Sequence, residues 1–174
     1  NWPATGNRAP NPAASPDEPK VMLWRADLSG AAARPLAECD APAISAKGII
    51  ACEKTGQVWT VSADGKDFAR AFFDRGRITD MAWSPDGTRL AYVSRREGHA
   101  LIGIYGGPTQ PITYVQAASG VDGSPTWSPD GRRIAFTRRW TGLDDYGRFL
   151  PYKPQPWAIM VADAATGAAR QAWA

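Results

Sequence analysis

The chain has 174 residues, 44% of them hydrophobic and 21% charged, enough for one domain with a sizeable core. Its formal charge of +3 at pH 7 is carried by scattered arginines, which argues against a nucleic-acid surface, and no apolar run approaches the roughly 20 residues that span a bilayer. A single histidine and the lack of a C-x-x-C pair exclude an obvious zinc centre, and 15 prolines with 17 glycines argue against a helical bundle.

Residues 1–20, rich in Pro, Ala and Asn, read as an extended or disordered arm rather than a signal peptide. The chain opens on Asn rather than Met, as expected of a mature protein or a piece of a longer one. Residues 21–174 then divide into four strand-rich units. The first, 21–38, holds only VMLWRADLSG (21–30) and AARPLA (32–37), the second half of a four-stranded unit. The second, 41–74, has APAISAKG (41–48), IIACEK (49–54), QVWTVSADG (57–65) and DFARAFF (67–73). Cys39 and Cys52 flank its first hairpin, and both a disulfide and two separate thiols fit that placement. The third, 78–117, reads MAW, RLAYVS, HALIGIYGG and QPITYVQ. The fourth, 121–174, reads PTW, RRIAFT, PWAIMVAD and ARQAW. LAYV (90–93) and IAF (134–136) are apolar on both faces, as in strands covered on two sides. Helical periodicity is absent.

Units three and four begin alike, with W-S-P-D-G at 83–87 and again at 127–131. In this turn Pro85 and Pro129 preset φ, Asp86 and Asp130 suit the next position, and Gly87 and Gly131 accept a left-handed backbone. A second turn recurs as DLSG, SADG and AATG, each closed by a glycine. A period near 44 residues with four short strands per unit predicts an all-β fold, a partial β-propeller of about three and a half to four four-stranded antiparallel blades. Trp83 and Trp127, just before each turn, are expected to pack between neighbouring blades.

WSPDGTRLAYVS and WSPDGRRIAFTRR resemble the WD-like repeats of TolB-type propellers and the propeller of the prolyl oligopeptidase and dipeptidyl peptidase family of serine peptidases. The resemblance covers residues 20 to 174, and PQPWAIMVADAATGAARQAW (154–173) favours the peptidases. It implies a non-catalytic propeller segment that scaffolds an α/β-hydrolase domain and gates peptide access to it; the alternative is a TolB-like module for protein–protein interaction. By the same analogy the protein is periplasmic or secreted. No G-x-S-x-G elbow is present: Ser124, in VDGSPTW, has the wrong spacing, and His99, in REGHAL, is expected in an exposed loop. The chain is therefore not expected to be an enzyme by itself, and no cofactor or metal is expected.

WTGLDDYGRFLPYKPQP (140–156) interrupts the fourth unit. Dipeptidyl peptidases of the resembled family hold the substrate amino terminus with a pair of Glu in a propeller insertion. Here the acidic pair is Asp144 and Asp145, which leaves that role in doubt. Trp140, Tyr146, Arg148, Phe149 and Tyr152 make the same insertion a candidate peptide or partner contact. An open arc of about three and a half blades leaves two apolar faces uncovered unless the chain closes as a strained four-bladed ring, so the expected partners are the chain's own catalytic domain or another copy completing the ring.

Overall fold

The computed structural model describes residues 20–30, 32–140 and 156–174, which form fourteen strands and no helix. They group into blades along the chain. Blade 1 is the pair β1 (Met22–Arg25) and β2 (Arg34–Glu38). Blade 2 runs β3 (Asp40–Ile44), β4 (Ile49–Lys54), β5 (Gln57–Ser62) and β6 (Ala69–Arg70). Blade 3 runs β7 (Arg77–Trp83), β8 (Leu90–Arg96), β9 (His99–Tyr105) and β10 (Thr113–Tyr114). Blade 4 runs β11 (Gly120–Trp127), β12 (Arg133–Trp140), β13 (Trp157–Asp163) and β14 (Ala169–Trp173). Within each blade neighbours pair antiparallel, and one parallel bridge, Val121 to Ala100, links blade 4 to blade 3. The fold is a partial β-propeller.

The core lies between blades rather than within one. Ala37, Cys39, Ile50, Cys52 and Val61 fill the space between blades 1 and 2. Ala51, Val58, Ile78, Leu90 and Tyr92 fill that between blades 2 and 3. Between blades 3 and 4 the largest members include Ile102, Ile104, Ile134, Phe136 and Met160. Strand β8 explains the pattern: Leu90 and Tyr92 face blade 2, Ala91 and Val93 face blade 4, and all four are fully buried. Each such large side chain contributes roughly 1.5–3 kcal/mol by leaving water.

Three expectations are corrected. The IAF strand is buried on one face only: Ile134 and Phe136 are buried, but Ala135 is half-buried, because blade 4 has a neighbour on one side. The outer strands expected at 67–73 and 110–116 shrink to the two-residue β6 and β10. After a last backbone bond from the Ala71 N–H to the Val58 carbonyl the chain turns inward, where the Phe72 ring stacks on Tyr105 at 4.4 Å and lies 5.0 Å from Tyr92. His99 opens β9 as a half-buried residue, with Nδ1 3.1 Å from the Glu97 carbonyl, rather than lying in an exposed loop. The open alternative at the cysteines resolves into a disulfide. Cys39, between β2 and β3, is bonded to Cys52 on β4 and staples blade 1 to blade 2, with a Cα–Cα distance of 5.8 Å.

Candidate functional site

The repeated turn is built by side chains as well as backbone. Ser84 Oγ accepts the Arg89 N–H at 2.9 Å and donates to Asp86 at 2.5 Å, while Asp86 also accepts the Thr88 N–H and hydroxyl. Ser128 and Asp130 repeat this, with the Arg133 N–H at 2.9 Å and the Arg132 N–H at 3.0 Å. The Ser84 hydroxyl, then the Thr88 groups, hold the Asp86 carboxyl down to about 2; Ser128 likewise lowers Asp130. The degenerate SAKG keeps the same serine: Ser45 Oγ accepts the Ile49 N–H at 3.0 Å in a turn one residue shorter.

These turns set up the joints between blades. The Trp83 indole N–H donates to the Ala43 carbonyl of blade 2 at 3.0 Å. The Trp127 indole N–H donates to the Ala82 carbonyl of blade 3 at 2.9 Å. Each acceptor is the residue just before the tryptophan position of the preceding blade. At the second joint Arg89 adds a clasp, with its guanidinium 4.9 Å from the Trp127 ring and donating to the Gly131 carbonyl at 2.7 Å. At the joint of blades 1 and 2 the tryptophan position holds Ile44, which is 68% exposed. A groove of about 500 Å³ remains there, bordered by Leu23, Trp24, Leu36, Pro42, Ile44 and Ile50.

The first strands of successive blades, β3, β7 and β11, lie against one another and form the inner wall of the arc. Each carries a bulge at the same repeat position, three residues before the tryptophan position. There Ala41, Asp80 and Ser124 adopt φ of 48°, 49° and 53°, and the ladder shifts at each. A left-handed non-glycine residue is uncommon, and its recurrence in three blades marks a designed bend of the inner strand. Sequence reasoning missed it, since Ala, Asp and Ser share no signature.

Two buried polar groups tie the blades further. Asp74 accepts bonds from Ser94, Tyr114, the Gly76 N–H and Tyr92 at 2.5–3.0 Å, and Gln57 of blade 2 brackets its backbone. Burial pushes its pKa up, but those four donors outweigh it and the net shift is downward. Arg138 grips Asp122 through Nε and an Nη nitrogen at 2.7 and 2.8 Å and donates to the Gln116 carbonyl at 2.8 Å. Every charge here has a partner, as a structural role requires.

Of the candidate contact residues in the insertion, Asp144, Asp145, Tyr146, Arg148, Phe149 and Tyr152 lie outside the described residues. Trp140 ends β12, is half-buried and packs on the core between blades 3 and 4. Trp157 starts β13 and pairs with Trp173, ring centroids 5.0 Å apart, on the uncovered face of blade 4. Ser124 and His99 sit on different strands, with no hydrogen bond between them among the described residues. Among those residues no cluster of His, Cys, Asp and Glu could hold a metal.

No protein-family model matches the sequence, and no curated protein does. Solved structures do. TolB from Acinetobacter baumannii is 20% identical over 88% of this chain and 38% of its own, with a TM-score of 0.64. A TolB homologue from Agrobacterium tumefaciens is 16% identical over 87% of this chain and 56% of its own, with a TM-score of 0.63. The tricorn protease is 13% identical over 78% of this chain and 15% of its own, with a TM-score of 0.55. At these identities the likeness is one of fold alone: a TolB-like propeller, similar in fold also to part of the tricorn protease. The chain spans little more than half of the longer-covered TolB structure and much less of the others.

Proposed function

We propose that this chain is a non-catalytic propeller segment of a longer protein that acts as a scaffold for protein–protein interaction, in the manner of a TolB-like module. The observation that carries the reading is the outer face of blade 4. There Trp157, Ile159 and Trp173 are 46%, 37% and 56% exposed on a sheet whose other face is locked into the core. A rigid sheet presenting contiguous apolar side chains is the usual form of an interaction surface. The broader match to TolB structures than to the protease supports the same choice. The disulfide supports an oxidising, exported location.

The tricorn match supports a second reading, in which the propeller gates peptide access to a hydrolase domain on the same polypeptide. A fluorophosphonate, which labels activated serines, separates the two when applied to the full-length gene product. The scaffold reading expects neither labelling nor turnover of a chromogenic Xaa-Pro peptide. Labelling accompanied by turnover overturns it in favour of gating.

A further inference from the structure

The outer face of blade 4 carries charge as well as apolar surface. Residues directly opposite in an antiparallel ladder project to the same side. The register therefore puts Arg139 beside Trp157, Thr137 beside Ile159, Ala135 beside Val161 and Arg133 beside Asp163, with Trp173 beyond Ile159 and Arg170 beyond Val161. Arg133, Arg139 and Arg170 are exposed, and among the described residues none of their guanidinium groups makes a hydrogen bond or ion pair. The nearby carboxylates do not answer them. Asp163 accepts the Ala165 N–H and both the N–H and the hydroxyl of Thr166, while Asp130 accepts the Ser128 hydroxyl and the Arg132 N–H, so each is engaged within its own turn. Arg133 and Arg170 border a cavity of about 300 Å³. Arg139 stands at the other end of β12, roughly 20 Å from Arg133 at the rise of an extended strand.

We infer that this face binds an acidic, extended segment of a partner protein, with a carboxylate at each arginine end and apolar side chains between them on Trp157, Ile159 and Trp173. The inference rests on the reading of this face as an interaction surface and names the chemistry of what it binds. Charge complementarity selects the occupant, because the guanidinium groups here lack the carboxylates with which they form paired, charge-assisted hydrogen bonds. Tryptophan and arginine are also the residue types that carry most of the binding energy at protein interfaces. Between the two ends the half-buried Ala135, Thr137 and Val161 make a floor of small side chains. An extended segment turns every second side chain to this floor, so its first and seventh residues lie as far apart as Arg133 and Arg139. A second copy of the chain does not supply this chemistry through the same face, since a two-fold contact sets the arginine-bearing surface against itself.

The test titrates the whole chain into a fluorescein-labelled heptapeptide, Glu-Ser-Leu-Ser-Val-Ser-Glu, followed by anisotropy. Saturable binding that weakens as salt is added is expected. The same peptide with Lys at both ends should bind about tenfold or more weakly, because like charges then meet. Arg133→Gln and Arg139→Gln should each weaken binding of the acidic peptide about fivefold or more, the loss of a charge-assisted contact. Arg75→Gln, between blades 2 and 3, should leave it unchanged. All three arginines are exposed, so their replacement leaves the fold intact. Trp173→Ala should weaken the acidic peptide as well. Equal affinity for the two peptides, with both weakened by Trp173→Ala, overturns the acidic assignment and leaves the interaction surface standing. Binding indifferent to Arg133→Gln, Arg139→Gln and Trp173→Ala removes both. No binding of the acidic peptide at about 1 mM, or its displacement by a lower concentration of a single-stranded oligonucleotide, also overturns the inference.

Discussion

In both copies of W-S-P-D-G the serine hydroxyl oxygen accepts the N–H of the residue that enters the second strand, and its O–H donates a hydrogen bond to the carboxylate of the aspartate two positions on. Both carboxyls are held below their ordinary value, and Asp86 stays ionised down to about 2. Its folded pKa is depressed, so its contribution to stability is fully present above the unfolded value of about 3.9 and is lost as pH falls towards about 2. NMR titration of the Asp86 carboxyl should give a midpoint near 2. Ser84→Ala should move it upward toward the ordinary carboxylate range, and an unchanged midpoint would show that the hydroxyl is not the cause. At the joint, Trp127→Phe keeps most of the ring but strands the Ala82 carbonyl and weakens the Arg89 stack. A loss of about 1–2 kcal/mol is expected from these two terms, measurable by urea unfolding; a cost within error would mean the indole N–H is idle.

Between elements, the stability of this arc depends on how neighbouring blades are fastened. The disulfide links the end of blade 1 to the second strand of blade 2 across a separation of 13 residues. Closing a loop of that size is worth about 3 kcal/mol in the chain-entropy account. Reduction, or Cys39→Ser with Cys52→Ser, should lower the urea midpoint accordingly and loosen blade 1 first. A midpoint that ignores reductant would contradict the staple. Within blade 3, Gly103 pairs with Tyr92 in the ladder, and a Cβ at Gly103 would run into the Tyr92 ring. Tyr92 cannot swing aside, because its hydroxyl is held by Asp74 and its ring by Phe72. Gly103→Ala should therefore destabilise by about 1–3 kcal/mol, the cost of overpacking, whereas Gly98→Ala meets no neighbouring atom and should show only the smaller strain of its positive φ. Similar losses at the two sites would refute the packing argument.

Across the whole molecule, burial rises from the first blade to the third and falls again at the outer face of the fourth. Blade 1 has two strands with mostly exposed residues, whereas β8 and β9 are buried almost throughout. Local opening follows such gradients. Amide hydrogen exchange should be fastest in β1 and β2 and slowest in β8 and β9, with β14 faster than β12. Uniform protection from β1 to β14 would mean that the blades open as one unit.

Much of this architecture was legible in the residues because it is local. Proline, aspartate and glycine at fixed offsets set a hairpin wherever they occur, and strand-length apolar runs between them give four strands per unit. That was enough for an all-β partial propeller. The SAKG turn was also locatable, since its serine and glycine keep their places. What only the tertiary structure decided is what each side chain meets. The same apolar strand is buried on both faces in blade 3 and on one in blade 4, because burial depends on whether another blade stacks there. The cysteines left two outcomes open until β2 and β4 were brought together, and Arg89 and Arg133 look alike in sequence. One clasps a tryptophan and the other faces solvent, a difference that arises from position in the stack and leaves no trace in the residues themselves.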